Sequence, residues 1–362
     1  MERRNTKVVN VGRVKIGGNN PISIQSMTNT DTKDIESTIK QVIELEQAGC
    51  DIVRLAIYDE KCIETIRVIK KYTSIPLVAD IHFDYRLAIK SIKAGIDKLR
   101  INPGNIGSTQ NVQKVVDAAK ERNIPIRIGV NSGSIKKDIF QKYGNTPKAL
   151  GESALEHVRI LESLGYEEIV ISLKSSDVLK TIEAYKYIAK RVDYPLHIGI
   201  TEAGTLFEGT IKSAIGIGYL LTEGIGDTLR VSLTDSPLKE VEVGIAILKT
   251  LGLKQEGIEI ISCPTCGRCD LDLLSIVKEV REKTRHIDYP LKVAIMGCVV
   301  NGPGEAKDAD LGIAGGRGKV ALFKKGEIVG TYPKERAVEL LLSSIQELID
   351  KNERYRNYPS LQ

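Results

Sequence analysis

From Pro21 to about Ser232, short runs rich in Ile, Val and Leu alternate with longer segments whose apolar residues recur at spacings of three and four. That is the pattern of repeated βα units. The apolar runs predict eight strands, at 22–27, 52–55, 77–82, 98–102, 126–131, 168–173, 196–201 and 228–232. Between them lie amphipathic helices such as the one through 38–45, and Gly49, Gly95 and Gly165 stand where a helix stops before the next strand. Eight repeats fit an α/β fold of the closed (β/α)8 TIM-like barrel type. An open doubly wound sheet would place a glycine-rich dinucleotide loop after its first strand, and residues 25–30 do not form one.

A chain of 362 residues exceeds what one core usually serves. The eight repeats therefore predict a barrel over 1–255, followed by a small α+β domain over 256–362. A net charge of +5 without any basic stripe gives no reason to expect nucleic acid. The first residues lack a signal peptide's apolar stretch, and no later segment is long and apolar enough to span a bilayer. A cytoplasmic protein with no membrane partner is expected, with disorder only in the polar tail 351–362.

Barrel enzymes build their sites at the C-terminal ends of the strands. There the chain places Arg54, Arg100, Arg127, Lys174 and Arg230, facing few acids, of which Asp80 and Glu202 are the clearest. Cations converging on one mouth repel each other unless a multivalent anion neutralises them, and guanidinium forks match phosphate oxygens two at a time. A phosphate or diphosphate ligand is favoured over a set of surface ion pairs, the usual fate of a single Arg or Lys. Asn102 opens a turn, 102–107, whose glycines either let backbone amides approach that ligand or simply make a tight turn. His82, two residues beyond Asp80 on one predicted strand face, is the histidine favoured for chemistry, and His197 reads as a core residue.

Cysteine use is uneven. Cys50 and Cys62 read as buried small hydrophobes, whereas Cys263, Cys266, Cys269 and Cys298 fall late in the chain. The Cys-x2-Cys-x2-Cys turn at 263–269 precedes a helix predicted over 270–283, and it can wrap one corner of an iron–sulfur cube with Cys298 as a further ligand. Structural zinc also accepts four thiolates, but the second Cys-x2-Cys of the usual zinc pattern is missing. Iron–sulfur is favoured. An anion-binding barrel such as a pterin-type transferase, fused to a zinc module, is the competing reading.

Taken together, the segments 26–32, 79–84, 99–107, 129–134, 199–204, the cysteine turn and 300–305 resemble the 4-hydroxy-3-methylbut-2-enyl diphosphate synthase family in its bacterial two-domain form. The resemblance implies reductive ring opening of 2-C-methyl-D-erythritol 2,4-cyclodiphosphate in the non-mevalonate isoprenoid pathway. The electrons would come from a 4Fe–4S cluster fed by reduced flavodoxin or ferredoxin. It implies Cys263, Cys266, Cys298 and Glu305 as cluster ligands, with Cys269 a departure from the family pattern. It further implies Arg54, Arg100, Asn102, Arg127, Asn131, Lys174, Thr201, Arg230 and Ser232 around the substrate, and Glu202, His82 and Asp80 as the acid–base groups. A head-to-tail homodimer is implied as well.

Overall fold

The computed structural model describes residues 2–131, 133, 135–298 and 307–357. The chain divides into two compact units, Met1–Lys254 and Gln255–Gln362.

The first unit is a closed barrel. Its strands are β3 (Ser23–Met27), β4 (Ile52–Ala56), β5 (Leu77–Asp80), β6 (Lys98–Ile101), β7 (Ile126–Asn131), β8 (Ile169–Lys174), β9 (His197–Ile198) and β10 (Thr228–Leu229). All pair in parallel in the order β8-β7-β6-β5-β4-β3-β10-β9, and a bridge between Ile171 and Leu196 closes the ring. The eight predicted runs are thus the eight barrel strands, although β9 and β10 are only two residues long and leave Thr201, Arg230 and Ser232 in the loops beyond them.

Side-chain alternation sorts each strand. In β7, Ile126, Ile128 and Val130 face outward into the layer shared with the helices, and Arg127 faces inward between them. Several helices start on side-chain caps: Asp34 Oδ1 accepts from the Ser37 amide at 3.1 Å, and Asp177 Oδ1 from that of Lys180 at 2.9 Å. Gly49, Gly95 and Gly165 end helices at φ of +90°, +94° and +65°, a backbone region that only glycine enters without strain.

The stretch before Pro21, which the alternation does not reach, forms a hairpin of β1 (Val9–Val11) and β2 (Val14–Ile16). Its Val9, Val11 and Ile16 pack on Ile52, Val78 and Val170, the inward residues at the N-terminal ends of β4, β5 and β8. The barrel floor is therefore apolar and sealed.

The second unit is a five-stranded mixed sheet of β11 (Ile258–Ser262), β12 (Leu291–Met296), β13 (Leu311–Gly316), β14 (Lys319–Lys324) and β15 (Glu327–Pro333), in that order. Val293, Ile295, Leu311 and Ile313 pack with residues of α10 (Leu273–Thr284) and α11 (Ala337–Asn357). Two corrections arise here. Helix α10 starts three residues later than predicted, because Asp272 caps it by accepting from the Ser275 amide at 3.2 Å. Helix α11 continues to Asn357, so the tail expected to be disordered from 351 is helical over most of its length.

Candidate active site

Above the apolar floor the barrel interior turns polar. Arg100, Arg127 and Lys174 are buried, Arg54 and Arg230 nearly so; the first four stand on strands of one ring, and Arg230 directly follows β10 of the same ring. Register places Arg100 opposite both Asp80 and Arg127, and Lys174 opposite Asn131. Two glycines make room for them. A Cβ at Gly129 would lie 2.8 Å from Arg100 Nε, and one at Gly199 would lie 3.0 Å from Lys174 Nζ.

Two buried carboxylates face these cations. Asp80 Oδ1 accepts from Arg100 Nη1 at 3.0 Å, and its Oδ2 lies 3.8 Å from Arg54 Nε and 3.5 Å from His82 Nε2. Burial by itself would raise the Asp80 carboxyl, but Arg54, His82 and Arg100 together hold it well below the usual carboxylate range. Arg54 is pushed down to about 10 by burial, against the pull of Asp80. Its guanidinium also donates to Met27 Sδ at 3.0 and 2.8 Å. Glu240, from α9 (Pro237–Thr250), grips Arg230 with both oxygens at 3.1 and 3.2 Å and accepts from Ser26 Oγ at 2.9 Å.

Burial drives Lys174 well below its ordinary value, and Arg127, Arg230 and Arg54 push the same way. Arg127 is 1% exposed, and its Nε and Nη1 have no hydrogen-bond partner. A guanidinium keeps its proton even when buried, so these nitrogens are unpaired donors on a buried positive charge.

The remaining candidates take different places. Asn102 is buried, and its Oδ1 accepts from the Gly104 amide at 3.0 Å, which shapes the turn after β6. Asn131 ends β7 and is exposed. Thr201 and Ser232 are half-buried in the loops after β9 and β10. Glu202 is exposed and held at φ +51°, a left-handed conformation that a non-glycine residue adopts at a cost. His82 is a correction: β5 ends at Asp80, so the two do not share a strand face, and His82 reaches Asp80 from a bend on the exposed rim. His197 is fully buried, as expected of a core residue.

Sequence reading missed Glu240, Met27 and Lys98. Glu240 looks like an ordinary charge on an amphipathic helix. Met27 ends a strand without any signal of polarity. Lys98 lies two residues before Arg100 on the same face of β6, a spacing that could have flagged it.

In the second unit, β11 and β12 run in parallel, so the loops carrying Cys263 and Cys298 leave the same sheet edge. Cys263 Sγ accepts from the Gly297 amide at 3.2 Å, and Asp270 donates its amide to the Gly297 carbonyl at 2.9 Å. Cys266 is exposed and Cys298 buried. Cys269 differs: its thiol donates to the Leu271 carbonyl at 3.2 Å and sits where a Cβ on Gly297 would come within 2.4 Å. No three ligating side chains already converge among the described residues, and Glu305 lies outside them. Soft thiol donors on one edge, with a backbone amide bonded to sulfur, fit iron–sulfur better than any hard cation. Cys50 and Cys62 are buried in the barrel unit, with Cys50 pushed up to about 12 by burial.

Comparison with known proteins follows this division. Residues 6–245 match the GcpE TIM-barrel domain, and 259–347 match the GcpE protein C-terminal domain. A 4-hydroxy-3-methylbut-2-en-1-yl diphosphate synthase (flavodoxin) of Caldanaerobacter subterraneus subsp. tengcongensis is 62% identical over 96% of this chain and 98% of its own. One of the same description from Fusobacterium nucleatum is 61% identical over 95% and 98%. Among solved structures, 3-dehydroquinate dehydratase of Geobacillus kaustophilus aligns with a TM-score of 0.50 at 15% identity, over 69% of this chain and 99% of that one, a likeness of fold alone.

Proposed function

The chain belongs to the GcpE family, and from that premise we propose that its strand-end cations hold a cyclic diphosphate while the cysteine edge of the second unit holds a 4Fe–4S cluster. The reaction is the reductive ring opening of 2-C-methyl-D-erythritol 2,4-cyclodiphosphate to 4-hydroxy-3-methylbut-2-enyl diphosphate in the non-mevalonate isoprenoid pathway, with flavodoxin as electron donor. The observation that carries the site assignment is the excess of buried cations over buried carboxylates inside one barrel mouth.

Arg100, Arg127 and Lys174 bind the diphosphate oxygens, with Arg54 and Arg230 beside them and Asn102, Asn131, Thr201 and Ser232 completing the polar lining. Asp80 fixes Arg54 and Arg100 in place and orients His82. Glu202 delivers a proton to the departing oxygen, and its exposed rim position and fixed backbone suit that exchange. Cys263, Cys266, Cys298 and Glu305 would ligate the cluster, which when bound supplies the electrons.

A second copy completes the reading as a head-to-tail homodimer. Phe207, Ile211, Ile215 and Tyr219 repeat every four residues along α8 (Leu206–Thr222), and all four are exposed. An unpaired apolar stripe of this kind suits a partner helix. Phe207→Glu should lower the sedimentation mass to that of a monomer, and an unchanged mass would move the interface elsewhere. No helix among the described residues is long and apolar enough to cross a membrane. The late cysteines suit a reducing cytoplasm.

The direct test of the reaction is anaerobic turnover with reduced flavodoxin and analysis of the product. Conversion to the acyclic diphosphate is expected. Cluster-replete protein that leaves the cyclic diphosphate untouched would overturn the assignment.

A further inference from the structure

Below the diphosphate cations lies a buried amine that nothing above employs. Lys98 opens β6 on the face that carries Arg100, is fully buried, and its Nζ has no hydrogen-bond partner. Arg127, whose charge acts on Lys98, has two unpartnered nitrogens, and the buried His197 and Gln25 also carry unpartnered atoms, Nε2 of His197 and both amide atoms of Gln25. The floor beneath is the apolar cluster of the hairpin, so Lys98 has no route to bulk water from below.

The charged groups around this amine can be named strand by strand. Arg54 comes from β4, Asp80 from β5, Arg100 from β6, Arg127 from β7, Lys174 from β8, His197 from β9 and Arg230 from the loop that follows β10, while β3 offers no charged group. Asp80 is engaged by Arg54, Arg100 and His82, and Glu240 by Arg230. Neither carboxylate bonds Lys98. Burial drives its amine well below the ordinary lysine value, and Arg127 and Arg54 deepen that. A guanidinium cannot give way by losing a proton whereas an amine can, and Lys98 and Lys174 are the two amines among the groups named.

We infer that Lys98 is a positioning residue that takes up a proton when a diphosphate occupies the barrel mouth, and that its charge then acts on the ligand through Arg127. This rests on the diphosphate reading above and adds a proton to it. The chemistry sharpens the need. In the cyclic diphosphate each phosphorus has a single ionisable oxygen, so the ligand is a dianion. The dianion plus two electrons from flavodoxin and one proton gives the acyclic trianion plus one water, because opening the ring frees a terminal phosphate. The mouth gains a negative charge during the reaction, and a neutral amine beneath it can answer by protonating.

The test is titration calorimetry on oxidised, cluster-replete protein without reductant, so that no turnover occurs. The cyclic diphosphate and the acyclic product are each titrated at pH 7.5 in Tris, Hepes and Mops, and the slope against buffer ionisation enthalpy counts protons. The wild type should take up close to one proton more than Lys98→Met, with a larger uptake for product than for substrate. Lys98→Met should bind roughly tenfold more weakly. It should also melt at a higher temperature, because an unpaired buried amine has been replaced by an apolar chain of similar length. Equal uptake by the two proteins, with saturable binding in both, would overturn the role of Lys98 and leave the diphosphate site standing. No binding by the wild type in any buffer would overturn both.

Discussion

The two units prepare their chemistry in opposite ways. In the barrel, Arg54, Arg100, Arg127 and Lys174 stand on paired strands and are wholly or largely buried, and Arg100 is fixed by Asp80 and given room by Gly129. In the second unit the thiols stand on loops beyond the strand ends, with Cys266 exposed and Cys263 tethered by one backbone amide. A rigid sheet can store electrostatic strain, because the fold's packing opposes the repulsion. A loop site cannot, and it acquires its geometry from the metal it binds. Under the proposed function, binding falls to one unit and electron supply to the other, and each can be broken separately.

The largest effect is expected at the cysteine edge. Replacing Cys263, Cys266 or Cys298 by Ser should abolish iron binding and turnover, whereas Cys269→Ser should leave both nearly intact, because the Cys269 thiol is spent on the Leu271 carbonyl. Iron and acid-labile sulfide analysis, read with turnover, checks this. Loss of the cluster in the Cys269 variant, with Glu305→Gln harmless, would mean that four thiolates hold it.

Within the barrel, Arg127 and Arg230 should separate. Arg127 has unpartnered nitrogens, so Arg127→Met should cost substrate binding about 1.5–3 kcal/mol per lost charge-assisted bond while leaving the melting temperature unchanged or higher. Arg230 is chelated by buried Glu240, so Arg230→Ala should weaken binding and also destabilise the fold by about 3–5 kcal/mol, since it strands that carboxylate. Affinity and melting measured together discriminate. Equal stability losses in the two variants would erase the distinction between a charge kept for ligand and one kept for structure.

The smallest effect concerns acid stability. The Asp80 carboxyl is held below its unfolded value, so its contribution is present in full above the ordinary aspartate value of about 4 and is lost as pH falls through the lowered folded value. Wild-type stability should therefore keep falling below about pH 4. Asp80→Asn should be less stable at neutral pH and flatter in that acid limb, as followed by denaturant melts. Parallel curves would show that Asp80 is not carrying the pairs seen here.

Much of this was legible in the chain because a repeated period announces a barrel, and because strand-end Arg and Lys are conspicuous among Ile and Val. What escaped did so for physical reasons. The floor hairpin lies outside the repeat. Glu240 becomes a partner of Arg230 and Ser26 only when closure of the ring brings α9 against β3 and β10. Lys98 reads as a solvent-facing residue in an alternating strand, since nothing local says that the alternate face is a sealed interior. His82 reads as strand because Leu77 to Ile81 is apolar but for Asp80, yet the chain bends there to reach the cap of α3 (Tyr85–Lys93) at Asp84.

The division of labour itself is tested most directly by titrating the cyclic diphosphate into cluster-free Cys263→Ser protein under anaerobic conditions. Affinity within about threefold of the cluster-replete wild type is expected, since the proposed function gives the charge-assisted bonds to phosphate to barrel residues alone. A loss of affinity of about a hundredfold or more in a protein that melts normally would contradict it, and would make the cluster part of the substrate's binding site.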